Sequence, residues 1–130
     1  MSVSVLVVED DPSVRGLLQT LLSAEGYEVA TASDGLAGLV KATAGHPALV
    51  LLDLMMPDLG GVRVLEEMRD DPELAEIPVI VVTGKIDAVP GMRDLLGEDN
   101  VFLKPFAVGE LLGRVAAVTG GPSGTGGEGG

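Results

Sequence analysis

The residues with chemistry to offer each follow directly on a short apolar run. Glu9, Asp10 and Asp11 come after Val3 to Val8, Asp53 after Leu49 to Leu52, Thr83 after Val79 to Val82, and Lys104-Pro105 after Val101 to Leu103. If the runs before Glu9 and Asp53 are neighbouring strands, Glu9, Asp10 and Asp53 crowd together. Each like-charged pair about 4 Å apart then costs about 4 kcal/mol at an effective dielectric near 20. Either a carboxyl pKa rises or a divalent cation binds. Carboxylate oxygens without His or Cys suit Mg2+, with Mn2+ or Ca2+ as substitutes. Asp11, standing before Pro12, reads as a helix cap. Asp53 is the acid that follows a wholly apolar strand, so its carboxylate is the best-placed nucleophile toward phosphorus. The Lys104 ammonium and the Thr83 hydroxyl are then available to the phosphoryl oxygens. Singly, Thr83 is an ordinary strand-ending residue and Lys104 an ordinary surface lysine; their shared placement carries the reading.

Elements that bring these positions together follow from the pattern. The five apolar runs, Val3–Val8, Val29–Ala32, Leu49–Leu52, Val79–Val82 and Val101–Leu103, are mostly apolar at every position, as strands of a parallel sheet buried on both faces are. Between them lie helical spacings. Val14, Leu17, Leu18, Leu21 and Leu22 follow Pro12 and end at Gly26; Leu36, Leu39 and Val40 to Ala44 follow Ser33 or Asp34 and close at Gly45. Val62, Leu65 and Met68 form a third stripe. A fourth stretch, Asp87 to Leu96, is interrupted by Pro90-Gly91, and Glu110 to Val118 makes the fifth. Five alternations of strand and helix predict a doubly wound α/β fold with helices on both faces, whose ligands bind at the carboxyl ends of the strands. Residues 1–119 make one domain. Residues 120–130, GGPSGTGGEGG, read as a flexible tail or a linker.

Composition narrows the function. Twenty acidic residues against eight basic ones leave a net charge of −12, which argues against nucleic acid or an anionic membrane surface as a direct ligand. The absence of cysteine excludes disulfides and thiolate metal sites and fits a cytoplasmic location. No basic residue precedes the first apolar run, and Glu9 ends it, so neither a signal peptide nor a membrane span is expected. His46, between Gly45 and Pro47, reads as a loop residue.

The segments VLVVEDDPSVRGLL, LVLLDLMMPDLGG, PVIVVTGK and FLKPF stand in one order and spacing, and together they resemble the receiver domain of two-component response regulators from Val3 to about Val118. The resemblance implies a flavodoxin-like five-stranded sheet of order 2-1-3-4-5. It also implies Asp53 as phosphoacceptor, Mg2+ held by Glu9, Asp10, Asp53 and the main-chain carbonyl of Met55, Thr83 as switch hydroxyl, and Lys104 as phosphate-pairing lysine, typically joined to Pro105 by a cis bond. The implied donor is a phosphohistidine on a sensor histidine kinase or histidine phosphotransfer protein. The output would be a downstream effector protein or a C-terminal domain absent from this sequence. Catalysis would be confined to the chain's own phosphorylation and dephosphorylation. Three features depart from the family pattern: Val101 stands where Tyr or Phe is usual, Gly84 where Ala is common, and the stretch from Thr83 to Lys104 is about one residue short. They leave a second reading, a phosphate-independent receiver-like interaction module. A flavodoxin-like cofactor protein fits worse, because its first loop would need backbone amides and hydroxyls for a phosphate where this chain has Glu9-Asp10-Asp11.

Overall fold

Five parallel strands pair in the order β2-β1-β3-β4-β5 in a computed structural model that describes residues 2–56 and 59–122. In chain order they are β1 (Ser4–Val8), β2 (Glu28–Ala32), β3 (Leu49–Leu52), β4 (Val79–Thr83) and β5 (Val101–Leu103). Helices α1 (Pro12–Glu25), α2 (Gly35–Gly45), α3 (Gly61–Asp70), α4 (Val89–Leu96) and α5 (Val108–Thr119) connect or follow them. The central strands β1, β3 and β4 are almost wholly apolar because each face of the sheet has its own core, whereas the edge strand β2 carries Glu28 and Thr31 and is more exposed. Val5, Val7, Leu49, Leu51, Ile80 and Val82 pack on one side with Leu18 and Leu22 of α1 and Leu111 and Val115 of α5. Leu6, Val8, Val50, Leu52 and Val81 pack on the other with Ala42 of α2, Val64, Leu65 and Met68 of α3, and Val89 of α4. Successive side chains of a strand alternate between these cores.

Helix starts and stops follow local chemistry. Asp11 accepts from the amides of Ser13 and Val14 and caps α1, which ends at Gly26 with a φ of 105°. Asp34, not Ser33, caps α2 through the Ala37 amide at 2.8 Å. That helix stops at His46, whose φ of 44° makes it the left-handed residue in place of Gly45.

Helix faces differ from the spacing in three places. In α2, Leu36 and Val40 are exposed, while Gly35, Gly38 and Ala42 are buried. The helix lies so close to β1 that a Cβ on Gly38 would come within 2.9 Å of Val8 Cγ2, so small residues form its inner face. In α3, Val62 is exposed, and the buried stripe is Gly61, Val64, Leu65 and Met68. Leu17 of α1 is also exposed. Pro90 does not interrupt α4. It occupies the first turn, where an amide has no intrahelical acceptor, and a 3-10 turn over Ile86–Ala88 leads into it.

After α5 the chain turns at Gly120, and the Pro122 carbonyl accepts from the Val3 amide at 2.9 Å. The tail expected from residue 120 thus contributes a main-chain bond up to Pro122, and its remainder, 123–130, lies outside the described residues. No described helix is long and apolar enough to cross a membrane.

Candidate functional site

Register sets the site. Val8 pairs with Leu52, so the residues that follow, Glu9 and Asp53, emerge side by side, and the Asp53 amide donates to the Val8 carbonyl at 3.0 Å. Thr83 pairs with Leu103, and the Lys104 amide donates to the Thr83 carbonyl at 2.8 Å. The chain runs from β1 out to β2 and returns to β3, so strand order reverses between β1 and β3, where an open α/β sheet leaves a crevice at its carboxyl edge.

Carboxylate oxygens of Glu9, Asp10 and Asp53 lie within 4.8 Å of one another. Glu9 and Asp53 are only 1% and 4% exposed, and Asp10 is half-buried. Lys104 Nζ donates to Glu9 Oε1 at 2.8 Å and to Asp53 Oδ2 at 3.4 Å, so one ammonium bridges two buried carboxylates. The other oxygens are held by main chain: Met55 N donates to Asp53 Oδ1 at 3.1 Å and Asp11 N to Glu9 Oε2 at 3.2 Å. Thr83 is fully buried, and its Oγ1 accepts from the Lys85 amide at 3.0 Å. The Lys104-Pro105 bond is cis. Asp11 faces outward as a cap, the Met55 side chain is exposed, and His46 lies apart from the site, 3.9 Å from Glu73.

Burial pushes the Glu9 carboxyl up to about 7, against the pull of Lys104 and with the push of the Asp53 charge. Burial alone would lower Lys104, but its hydrogen bond to Glu9 and the charge of Asp53 outweigh it, and its pKa rises. Between pH 4.5 and 7 the folded chain keeps a Glu9 proton that the unfolded chain has lost. Metal-free stability should therefore fall as pH rises through this window. Denaturant titrations of parent and Glu9→Gln at several pH values measure this, and the slope should flatten in the variant.

Two determinants carry no signal in the residue types. Arg15 donates through Nη1 to the carbonyls of Glu9 and Asp10, a contact that the spacing of one α1 arginine does not announce. Gly61 sits against the Asp53 main chain, where a Cβ would lie 2.3 Å from the Asp53 carbonyl oxygen. A separate groove of about 740 Å³, lined by residues including Arg93, Val101, Phe102, Glu110 and Arg114, lies between α4, β5 and α5, away from the carboxylates.

Comparison with known proteins agrees with this geometry. Residues 5–116 match the response regulator receiver domain. The probable transcriptional regulator ycf27 of Cyanophora paradoxa is 42% identical over 115 residues, which cover 88% of this chain and 47% of the relative. The chain thus spans about half the length of that relative. A solved putative response regulator from Chloroflexus aurantiacus superposes with a TM-score of 0.82 at 28% identity, covering 91% of this chain and 98% of the other. The receiver domain of a sensor histidine kinase from Pseudomonas aeruginosa, solved with a magnesium ion coordinated in its active-site cleft, gives 0.78 at 26% identity, covering 90% and 97%. With a match across nearly its whole folded length and a sheet of the same order, the chain belongs to the response regulator receiver domain family.

Proposed function

We propose that this chain is a phosphorylation-controlled switch in which Asp53 accepts a phosphoryl group. The observation that carries the reading is the burial of the Asp53 carboxylate between two other carboxylates and the Lys104 ammonium. An Asp53 oxygen attacks phosphorus of a phosphohistidine, the P–N bond breaks as the P–O bond forms, and the imidazole leaves. Lys104, already between Glu9 and Asp53, neutralises charge on the transferred group. The Thr83 hydroxyl, fixed by the Lys85 amide, donates to a phosphoryl oxygen once it turns toward it. The chain's only catalysis is this self-phosphorylation and the later hydrolysis.

The donor set suits Mg2+, being a tight group of hard carboxylate oxygens with neither His nor Cys among them. Glu9, Asp10, Asp53 and the Met55 main-chain carbonyl would hold the ion, which supplies positive charge to the phosphoryl oxygens. Saturating Mg2+ should raise the melting temperature by mass action, EDTA should reverse the gain, and Asp10→Ala should lose most of it. With no tryptophan in the chain, calorimetry or circular dichroism reads this out. An unchanged melting temperature in the parent would overturn the metal site.

The donor partner is a sensor histidine kinase or a histidine phosphotransfer protein, and the setting is cytoplasmic. Resemblance to transcriptional regulators about twice as long supports an output domain beyond this segment, with a separate effector protein as the other route. The second reading, a phosphate-independent module, draws on Gly84, on the shortened stretch from Thr83 to Lys104 and, above all, on Val101. It is 3% exposed and pairs with Val81, and its stiff β-branched side chain has no ring to swing between buried and exposed states. Beryllofluoride should therefore change amide exchange strongly near Asp53 and Thr83 and weakly across residues 101–115. Val101→Tyr should enlarge the response there; an equally large response in the parent would sink this account of Val101.

A further inference from the structure

Between β1 and α1, the chain carries Glu9 and Asp10 on a connection of few residues. The Glu9 amide is fixed to the Ala32 carbonyl at 3.0 Å, and the Asp11 amide to Glu9 Oε2 at 3.2 Å. Asp10 is different, since its carboxylate accepts no hydrogen bond among the described residues. With no side-chain partner to hold it, the start of that carboxylate's path, the Cα–Cβ direction, is set by the Asp10 main chain. Half-buried Arg15 turns back from the first turn of α1 and donates through Nη1 to the Glu9 carbonyl at 3.0 Å and the Asp10 carbonyl at 3.2 Å. Those carbonyls belong to the two peptide planes that flank the Asp10 Cα. Because each plane is rigid, holding both restricts φ and ψ of Asp10 and so the direction of its Cβ.

We propose that Arg15 is a positioning residue for the divalent-cation site, pinning both peptide groups around Asp10 so that its carboxylate meets those of Glu9 and Asp53. The inference rests on the Mg2+ reading above. Two roles for Arg15 predict opposite signs. As a bare positive charge beside the cluster, the guanidinium repels a dication, and its removal would tighten Mg2+ binding. As a clamp, it holds a ligand ready, and its removal lets Asp10 turn away and weakens binding despite the relief of repulsion. Groups that hold a metal ligand in place from behind commonly act in this second way.

Calorimetric titration with Mg2+ of the parent, Arg15→Met and Arg15→Lys separates the two. Arg15→Met should bind Mg2+ roughly tenfold more weakly, with a metal-free melting temperature within about 3 °C of the parent. Arg15→Lys keeps the charge, but its ammonium ends one bond short of the Nη1 that now makes both contacts, so it should also bind weakly; this variant decides if the methionine form does not fold. At saturating Mg2+, phosphorylation by acetyl phosphate should return to within about twofold of the parent rate in both, because the chemistry after metal binding is untouched. Unchanged or tighter binding in Arg15→Met, full recovery of affinity by lysine, or a rate deficit that saturating Mg2+ leaves in place would each overturn the proposal. If the parent itself takes up no Mg2+, the metal reading falls and this inference with it; if parent and variants bind alike, only the inference falls.

Discussion

Asp53→Asn is expected to abolish phosphorylation. With Mg2+ and acetyl phosphate the parent should gain one phosphoryl mass and the variant none, because an amide oxygen is a poor nucleophile and yields no acyl phosphate. The substitution is nearly isosteric, and the new side chain keeps an oxygen for the Met55 amide that now bonds Asp53 Oδ1 at 3.1 Å. Lys104 keeps its shorter bond to Glu9, at 2.8 Å. Removing one of two neighbouring buried negative charges also relieves their repulsion. The melting temperature should therefore hold or rise, so loss of labelling is not loss of fold. A variant labelled as well as the parent would show that the phosphoryl group goes elsewhere.

Gly61→Ala is expected to give the largest loss of stability of any single methyl addition near the site. Its Cβ would stand 2.3 Å from the Asp53 carbonyl oxygen and 2.5 Å from the Leu54 Cα, both main-chain atoms that cannot rotate aside. Either α3 lifts from the sheet, uncovering Val64, Leu65 and Met68, or the Asp53 main chain shifts and carries its carboxylate out of line. Overpacking of this kind costs about 3 kcal/mol or more, which lowers the melting temperature of a domain this size by roughly 10 °C. Phosphorylation should slow as well. Gly84→Ala is the control: a Cβ there meets nothing within 4 Å, and stability should stay within about 0.5 kcal/mol of the parent. Equal melting temperatures for Gly61→Ala and the parent would show that the β3–α3 connection yields more readily than its contacts imply.

The strands were legible because a central parallel strand has no polar face to confuse the pattern; β3 and β5 begin and end where the apolar runs do, and the others differ by one residue. Carboxylates and hydroxyl were legible for a related reason, since a polar residue straight after such a run stands at the carboxyl edge, and the register of β1 with β3 brings those edges level. Helix faces were less so. Hydrophobicity marks Leu36 and Val40 as inward, but distance decides, and a helix close enough to touch Val8 has room only for Gly38. Val62 misled in the same way, because Gly61 takes the inner position and turns Val62 outward. The contacts of Arg15 are with carbonyls, which every residue has, so no choice of residue types records them.

The bond from the Val3 amide to the Pro122 carbonyl, at 2.9 Å, brings the ends of the described chain together beneath the amino ends of the strands. Glu9 and Asp53 open at the other pole, beyond β1, whose five residues span about 16 Å. Circular permutation is thereby within reach: a few residues would join the neighbourhood of Val3 to that of Pro122, and the chain could be reopened at the exposed His46-Pro47 turn before β3. Both seams would then lie on the pole away from Asp53. A fluorophore or surface anchor attached at either seam would report on the domain while leaving the acidic crevice open to a partner.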